Sequence, residues 1–393
     1  MKQSDTFCIL PWMHVATNSS GNYRVCCNST PGENFITDDN GAPYKIYKNS
    51  PDEIWNTSVY KKLRLDLLNG KKPKMCTRCW REEAIGVKSA REGFNESYKE
   101  HIDEAIASTK EDGSAPVKGV YVDLRLGNLC NLKCRMCNPW ASNQWVEEWN
   151  SKTSYDGTDI PQEERDRLTH MNWPTNEKTW ENLMPIIDTV EEIYLTGGEP
   201  TLALEQYKLF DRCIELNKAK DIMLKYNTNL TNIPPKMIDY WKHFKKVNCR
   251  VSIDGDTDIH SYLRTGSDLD KIEANIKHLK QSLPNNLFIT ATCEFGKFDD
   301  PLITSGGELL LNKGNKILVG EDVANYFRPQ LTQNKIKATQ HNLEPMAFSI
   351  YEMGSCMSDN YSYLDQSNEE MSAKGNGGLR QMHSFVNLQH NDK

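Results

Sequence analysis

The chain has 393 residues, a net charge of −7 and a pI near 5.8; that balance argues against a polyanion-binding surface over the whole molecule, and no local basic patch stands out. With 38% hydrophobic and 26% charged residues, it is polar for a globular protein yet outside the disordered range. No run approaches the ~20 apolar residues that span a bilayer and the first residues lack a signal-peptide pattern, so the expected setting is a reducing cytoplasm, where twelve cysteines serve as metal ligands or buried thiols rather than disulfides.

In chain order, residues 1–110 read as a small loop-rich module, punctuated by Pro, Gly, Asn and Asp over 28–51. Helices are expected over 52–68, where Ile54, Val59, Leu63, Leu67 and Leu68 fall at helical spacing, and over 92–108. A polar link at 110–116 leads to a second region, 116–297. Here short apolar strands (120–126, 192–195, 222–226, 249–253, 287–293) alternate with helical stretches (179–190, 204–216, 236–244, 269–283). Strand–helix repeats of this length predict an α/β fold around a parallel sheet, because parallel neighbours need long crossovers. Binding chemistry then gathers at the strand C-terminal ends. A polar insertion at 150–174 is bordered by Trp149 and Trp173. Beyond 297 the pattern decays: a hairpin pairing 309–311 with 317–319 and a helix start over 322–327 are expected within 298–354. The polar stretch 355–393 is expected to be weakly ordered.

Cys130, Cys134 and Cys137 follow directly on the first strand of the repeating region, spaced CxxxCxxC. Thiolates are the usual ligands of iron–sulfur clusters, and three of them on a four-iron cubane leave one iron for a small molecule. Structural zinc prefers four ligands, commonly in CxxC pairs, so it suits this loop less well. Cys213, Cys249, Cys293 and Cys356 are scattered singly and read as core or incidental residues.

This loop resembles the signature of the radical S-adenosylmethionine (radical SAM) superfamily. The resemblance implies a partial (β/α)6 TIM-like barrel, and a [4Fe–4S] cluster whose open iron chelates S-adenosylmethionine (AdoMet). Reductive cleavage would then give methionine and a 5′-deoxyadenosyl radical that abstracts a substrate hydrogen. Further segments carry the likeness. Thr196-Gly197-Gly198-Glu199-Pro200 follows the second strand; the resemblance assigns it to the methionine amino group, whereas an ordinary strand-to-helix turn is the plain alternative. Asn227-Thr228-Asn229 follows the third strand, with Asn229 among the implied cofactor contacts and turn-forming Asn the alternative. Ser252-Ile253-Asp254-Gly255 and the stretch through Arg264 follow the fourth. By resemblance Ser252 reaches the ribose and Arg264 the methionine carboxylate, which its planar fork suits; a surface ion pair is the alternative for Arg264.

Cys8, Cys26 (five residues after Gly21), Cys76 and Cys79 resemble the twitch, or shortened SPASM, auxiliary-cluster domain, here placed before the barrel. It implies a second [4Fe–4S] cluster closed by four thiolates, although zinc also fits four cysteines. Cys27 is an alternative to Cys26. The implied partners are a one-electron reductant such as a flavodoxin or ferredoxin and, from relatives with auxiliary domains, a peptide or protein substrate. A non-catalytic metal-binding scaffold is the rival reading; the intact GGEP segment and Arg264 speak against it. A complete partial barrel also needs a sixth strand, and no segment after Cys293 reads as one.

Overall fold

The computed structural model describes residues 3–29, 34–86, 88–150, 168, 171–254, 257–294, 301–303, 309–313, 316–319 and 383–384. Its strands, in chain order, are β1 (His14–Thr17), β2 (Tyr23–Arg24), β3 (Tyr121–Arg125), β4 (Lys133–Cys134), β5 (Glu192–Thr196), β6 (Met223–Thr228), β7 (Lys246–Ser252), β8 (Arg264–Thr265), β9 (Leu287–Glu294), β10 (Pro301–Ile303), β11 (Leu309–Lys313), β12 (Lys316–Val319) and β13 (His383–Ser384). Eight of them make one sheet in the order β13-β9-β7-β6-β5-β3-β1-β2. Every contact from β1 through β3, β5, β6 and β7 to β9 is parallel. Helices Glu177–Leu183, Tyr207–Glu215, Pro235–Trp241 and Leu269–Ser282 supply the crossovers that parallel pairing demands. The α/β architecture expected from the strand–helix repeat is therefore present.

The faces of the sheet follow from alternation along each strand. Leu224, Tyr226 and Thr228 of β6 and Val247, Cys249 and Val251 of β7 are buried. On the opposite face of the same strands, Lys225, Asn227, Asn248, Arg250 and Ser252 are half-buried. Toward the other edge the sheet closes over: β3 and β5 are buried at every position. Cys213 and Cys249 are core residues, both fully buried.

Among the described residues the sheet has a sixth parallel strand, on the side away from β9. It is β1, from the N-terminal stretch, paired with β3 in the register His14↔Tyr121, Val15↔Val122 and Ala16↔Asp123. Its four residues are all buried, and a strand covered on both faces leaves no alternation in the sequence to find. The N-terminal and strand–helix regions share one hydrophobic core, in which Phe7, Trp12 and Trp55 belong to the same cluster as Trp180 and Trp241. Arg64 ties the chain down just before β1. Fully buried among the rings of Trp12, Trp55 and Tyr60, it donates from Nε to the Pro11 carbonyl (2.9 Å) and from Nη1 to Asn56 Oδ1 (3.0 Å).

Local boundaries differ from expectation where turn residues intervene. The helix expected over 52–68 is two, Pro51–Ile54 and Ser58–Leu68. The one expected over 92–108 becomes Ala90–Ser97, a short 3-10 turn and Ile102–Ala107, opened by a Ser89/Glu92 capping box that satisfies the first free amides. Trp173, at the end of the insertion, is buried and donates from Nε1 to the Ser19 carbonyl (2.9 Å). Gly21, at φ +76°, lies beneath it; a Cβ there would sit 3.0 Å from the indole. After β9, β11 pairs with β12 antiparallel in a separate three-stranded sheet with β10, and β13 lies antiparallel on β9. The remaining expectations for 150–174, the helix over 322–327 and most of 355–393 fall outside the described residues.

Candidate active site

The cysteine loop leaves β3 at the C-terminal end of the sheet and is wrapped by its own return segment. Asn143 Oδ1 accepts from the Cys130 amide (2.9 Å), and Gln144 Nε2 donates to the Cys130 carbonyl (3.1 Å). The Ser142 hydroxyl donates to the Leu132 carbonyl (2.7 Å), and Trp145 Nε1 to the Cys134 carbonyl (3.0 Å). Cys130 and Cys134 are buried, Cys137 is half-buried, and the three pack with Leu132 and Met136 into a small cluster of their own. Sequence reading missed the whole of residues 142–145, because hydrogen-bonding side chains on a return loop leave no periodic signal.

The glycines of the Thr196–Pro200 turn have a sharper reason than closeness to a ligand. A Cβ on Gly198 would lie 2.2 Å from the Leu129 carbonyl oxygen, and one on Gly197, at φ +132°, would lie 2.8 Å from the Leu126 nitrogen. The turn is pressed backbone to backbone on the start of the cysteine loop, held by Gly198 N–H to the Gly127 carbonyl (3.1 Å) and Glu199 N–H to that of Leu129 (2.8 Å). Among the described residues the carbonyls of Gly197 and Gly198 accept no hydrogen bond, which leaves main-chain acceptors at the strand ends. Pro200 opens a 3-10 turn, and its carbonyl accepts from Gln206 Nε2 (2.6 Å).

Glu199 is occupied by its own chain. Its Oε1 accepts from the Thr201 amide (3.1 Å), the Thr201 hydroxyl (2.7 Å) and the Thr228 hydroxyl (2.7 Å); Oε2 accepts from the Asn229 amide (2.7 Å). It is 2% exposed. Burial pushes its carboxyl up, and the four hydrogen bonds pull against that. Glu199 thus joins the turn after β5 to the turn after β6. Asn229 carries the linkage on to the cysteine loop: its Nδ2 donates to Asn131 Oδ1 (3.0 Å), Asn131 Nδ2 donates to Thr231 Oγ1 (2.7 Å), and the Thr231 amide and hydroxyl donate to Asn229 Oδ1. Ser252 ends β7 half-buried, in register with Thr292 of β9.

The loop's other flank is the segment 254–267. Strands β4 and β8 pair Cys134 with Arg264 and Lys133 with Thr265. The Arg135 amide donates to the Leu263 carbonyl (2.8 Å), and its guanidinium stacks 3.7 Å from the Tyr262 ring centre. Arg264 is 9% exposed and donates from Nε to Asp254 Oδ2 at 2.5 Å. His260, fully buried and not foreseen, accepts from the Asp254 amide at Nδ1 (3.2 Å), so Nε2 carries its proton and faces Ser267 Oγ (2.8 Å). Burial first, then the Arg264 charge, lowers its pKa to about 4. The thiols split accordingly. Burial and the Glu199 charge push Cys130 up to about 12, whereas Cys134 is lowered, first by a hydrogen bond with Cys137 and then by the charge of Arg264. Three thiols gathered in one loop, with main-chain acceptors beside them, fit an iron–sulfur cluster with a chelated small molecule.

The N-terminal cysteines are brought together only in part. Cys8 lies within electrostatic reach of Cys76 and Cys79, and burial raises all three, Cys76 to about 12 and Cys79 to about 11. Arg91 and Asn95 brace this group, both donating to the Phe7 carbonyl (2.8 Å each). Cys26 is tied instead to its neighbours: its sulfur accepts from the Asn28 amide (3.3 Å) and from the Cys27 thiol. Cys27 is buried and feels Asp123 and Arg24 in the sheet. The two sulfurs therefore lie side by side, Cys26 half-buried and Cys27 buried.

Residues 124–302 match the family model described as the radical SAM superfamily, and residues 8–80, which span Cys8, Cys26, Cys76 and Cys79, match an iron-sulfur cluster-binding domain, SPASM. These domains carry a [4Fe–4S] cluster with AdoMet and an auxiliary iron–sulfur cluster. No curated protein matches the chain. Among solved structures it is similar to native anSMEcpe with bound AdoMet (22% identity, 42% of this chain and 42% of that one, TM-score 0.28). It is also similar to anSMEcpe with bound AdoMet and Cp18Cys peptide (18% identity, 64% and 60%, TM-score 0.29) and to Streptococcus suis SuiB (12% identity, 82% and 63%, TM-score 0.33). The chain thus spans less than two thirds of the length of each. Among the described residues no helix is long and apolar enough to cross a membrane.

Proposed function

We propose that this chain, whose residues 124–302 match the radical SAM superfamily, is an enzyme that cleaves AdoMet reductively in order to take a hydrogen atom from a peptide or protein substrate. Cys130, Cys134 and Cys137 hold the [4Fe–4S] cluster in this reading; Cys8, Cys26, Cys76 and Cys79 hold the auxiliary one. When bound, the three-thiolate cluster with its open iron supplies the electron that splits AdoMet into methionine and a 5′-deoxyadenosyl radical.

The chain's own residues bind and orient. The Gly197 and Gly198 carbonyls accept from the methionine ammonium. Glu199 acts at one remove: its four hydrogen bonds set the turns that present those carbonyls and Asn229. Ser252, at the mouth of β7, is offered to the ribose. Substrate lies against the half-buried polar face of β6 and β7, where Lys225, Asn248 and Arg250 can meet the amides and side chains of a polar chain. A flavodoxin or ferredoxin delivers the electron, in a cytoplasmic setting.

The observation that carries this reading is the docking of the three-cysteine loop on the Gly197-Gly198 turn, backbone on backbone, at the C-terminal ends of a parallel sheet. Anaerobically reconstituted protein, given dithionite and AdoMet, is expected to release 5′-deoxyadenosine. Protein that holds its iron and releases none, with AdoMet in excess, is the metal-binding scaffold instead.

A further inference from the structure

We infer that Arg264 is a positioning residue for the cysteine loop: anchored by Asp254, its guanidinium holds Cys134 and sets the reduction potential of the cluster that the loop carries. This rests on the proposed function, and it gives Arg264 a different task from contacting the methionine carboxylate.

The backbone places the two residues together, since β4 and β8 pair Cys134 directly with Arg264 and the Arg135 amide extends the ladder to Leu263. The side chain is then fixed from behind. Nε is taken by the fully buried Asp254 carboxylate at 2.5 Å, and the Asp254 amide is held by His260 Nδ1, which Ser267 in turn orients. An arginine locked along its Nε edge has its remaining nitrogens aimed by the planar fork, and the register of β4 and β8 sets that fork directly across from Cys134. In a water-poor site such a charge acts strongly. Hydrogen bonds to sulfur and net charge are among the factors that set cluster potentials; a cation beside a thiolate favours the reduced, more negative state and so raises the potential. Arg135 adds grip without burial, stacking on Tyr262 and donating to its carbonyl (3.0 Å).

The test compares the native chain with Arg264→Gln and Arg264→Lys, each fully reconstituted, by redox titration of the cluster's EPR signal with and without AdoMet, alongside iron content and AdoMet binding. Arg264→Gln is expected to make reduction harder by about tenfold, about 59 mV for one electron, whether or not AdoMet is present. AdoMet affinity stays near native, and Arg264→Lys recovers most of the potential. Loss of the loop's iron from Arg264→Gln, with the N-terminal signal intact, supports the same role. Equal potentials in all three chains, or weakened AdoMet binding at an unchanged potential, overturns it. A native chain with no AdoMet-responsive cluster would instead defeat the proposed function itself.

Discussion

The two cysteine groups hold their thiols by opposite means. The barrel loop is a polar construction: Asn131, Asn143, Gln144, Trp145, Asn229 and Arg264 fix it by hydrogen bonds to side chains and main chain, and although burial raises Cys130, Cys134 is lowered. The N-terminal group rests mainly on apolar packing, with Arg91 and Asn95 bonded to the Phe7 carbonyl at its side. Cys8, Cys26 and Cys76 pack directly on the main hydrophobic core, and burial raises Cys8, Cys76 and Cys79. A loop fixed by directed bonds keeps its shape while one side stays open to a ligand. A group fixed by packing suits a closed cluster that exchanges nothing. Under the proposed function the same ligand chemistry would serve an open and a closed site, according to what surrounds the sulfur.

The largest effect should come from Cys134→Ala. It is expected to remove about four of about eight irons, abolish 5′-deoxyadenosine release and leave the N-terminal cluster visible by EPR; joint loss of both signals would break the contrast. Gly198→Ala comes next. Its Cβ would meet the Leu129 carbonyl at 2.2 Å, so the loop must undock. A loss of about 3 kcal/mol by chemical denaturation is expected, with the barrel cluster lost before the N-terminal one. Glu199→Gln leaves buried donors facing an amide and should cost about 2 kcal/mol, with iron content retained and AdoMet binding weakened. A double-mutant cycle on Asn131→Ala and Asn229→Ala should yield a coupling of about 1 kcal/mol. A coupling of zero would mean that the loop is not held by this link.

The smallest effect is on pH dependence. Burial lowers His260 from the ordinary 6.5 to about 4. The unfolded chain therefore binds a proton between those values that the folded chain refuses, so stability falls as pH drops from about 6.5 to about 4, by at most one proton's slope. His260→Gln should remove that part of the dependence in denaturation curves taken across this range.

How much of this was legible in the sequence varies with the kind of signal. The parallel strands β3, β5, β6, β7 and β9 announce themselves, since apolar runs alternating with amphipathic helices repeat along 120–293. The cysteine spacings mark both groups. The strand β1 was hidden because His14-Val-Ala-Thr17 is short and buried on both faces, so it lacks the alternation of a half-exposed strand. Partners of Glu199 and Arg264 were hidden for another reason: Thr228, Asn229, Asp254 and His260 meet them only through tertiary contacts. Resemblance pointed Glu199 and Arg264 toward a cofactor, and the geometry adds that both are first engaged with their own chain. The identity of Gly197 and Gly198 was readable, but the cause, close backbone packing on 126–129, was not.

The most direct test is EPR of two reconstituted and reduced variants with and without AdoMet, one carrying Cys76→Ala and Cys79→Ala, the other Cys134→Ala and Cys137→Ala. The expected result is a cluster signal that AdoMet reshapes in the first and a signal indifferent to AdoMet in the second. A signal reshaped by AdoMet in the second variant, or in neither, would contradict the assignment of the open site to Cys130, Cys134 and Cys137.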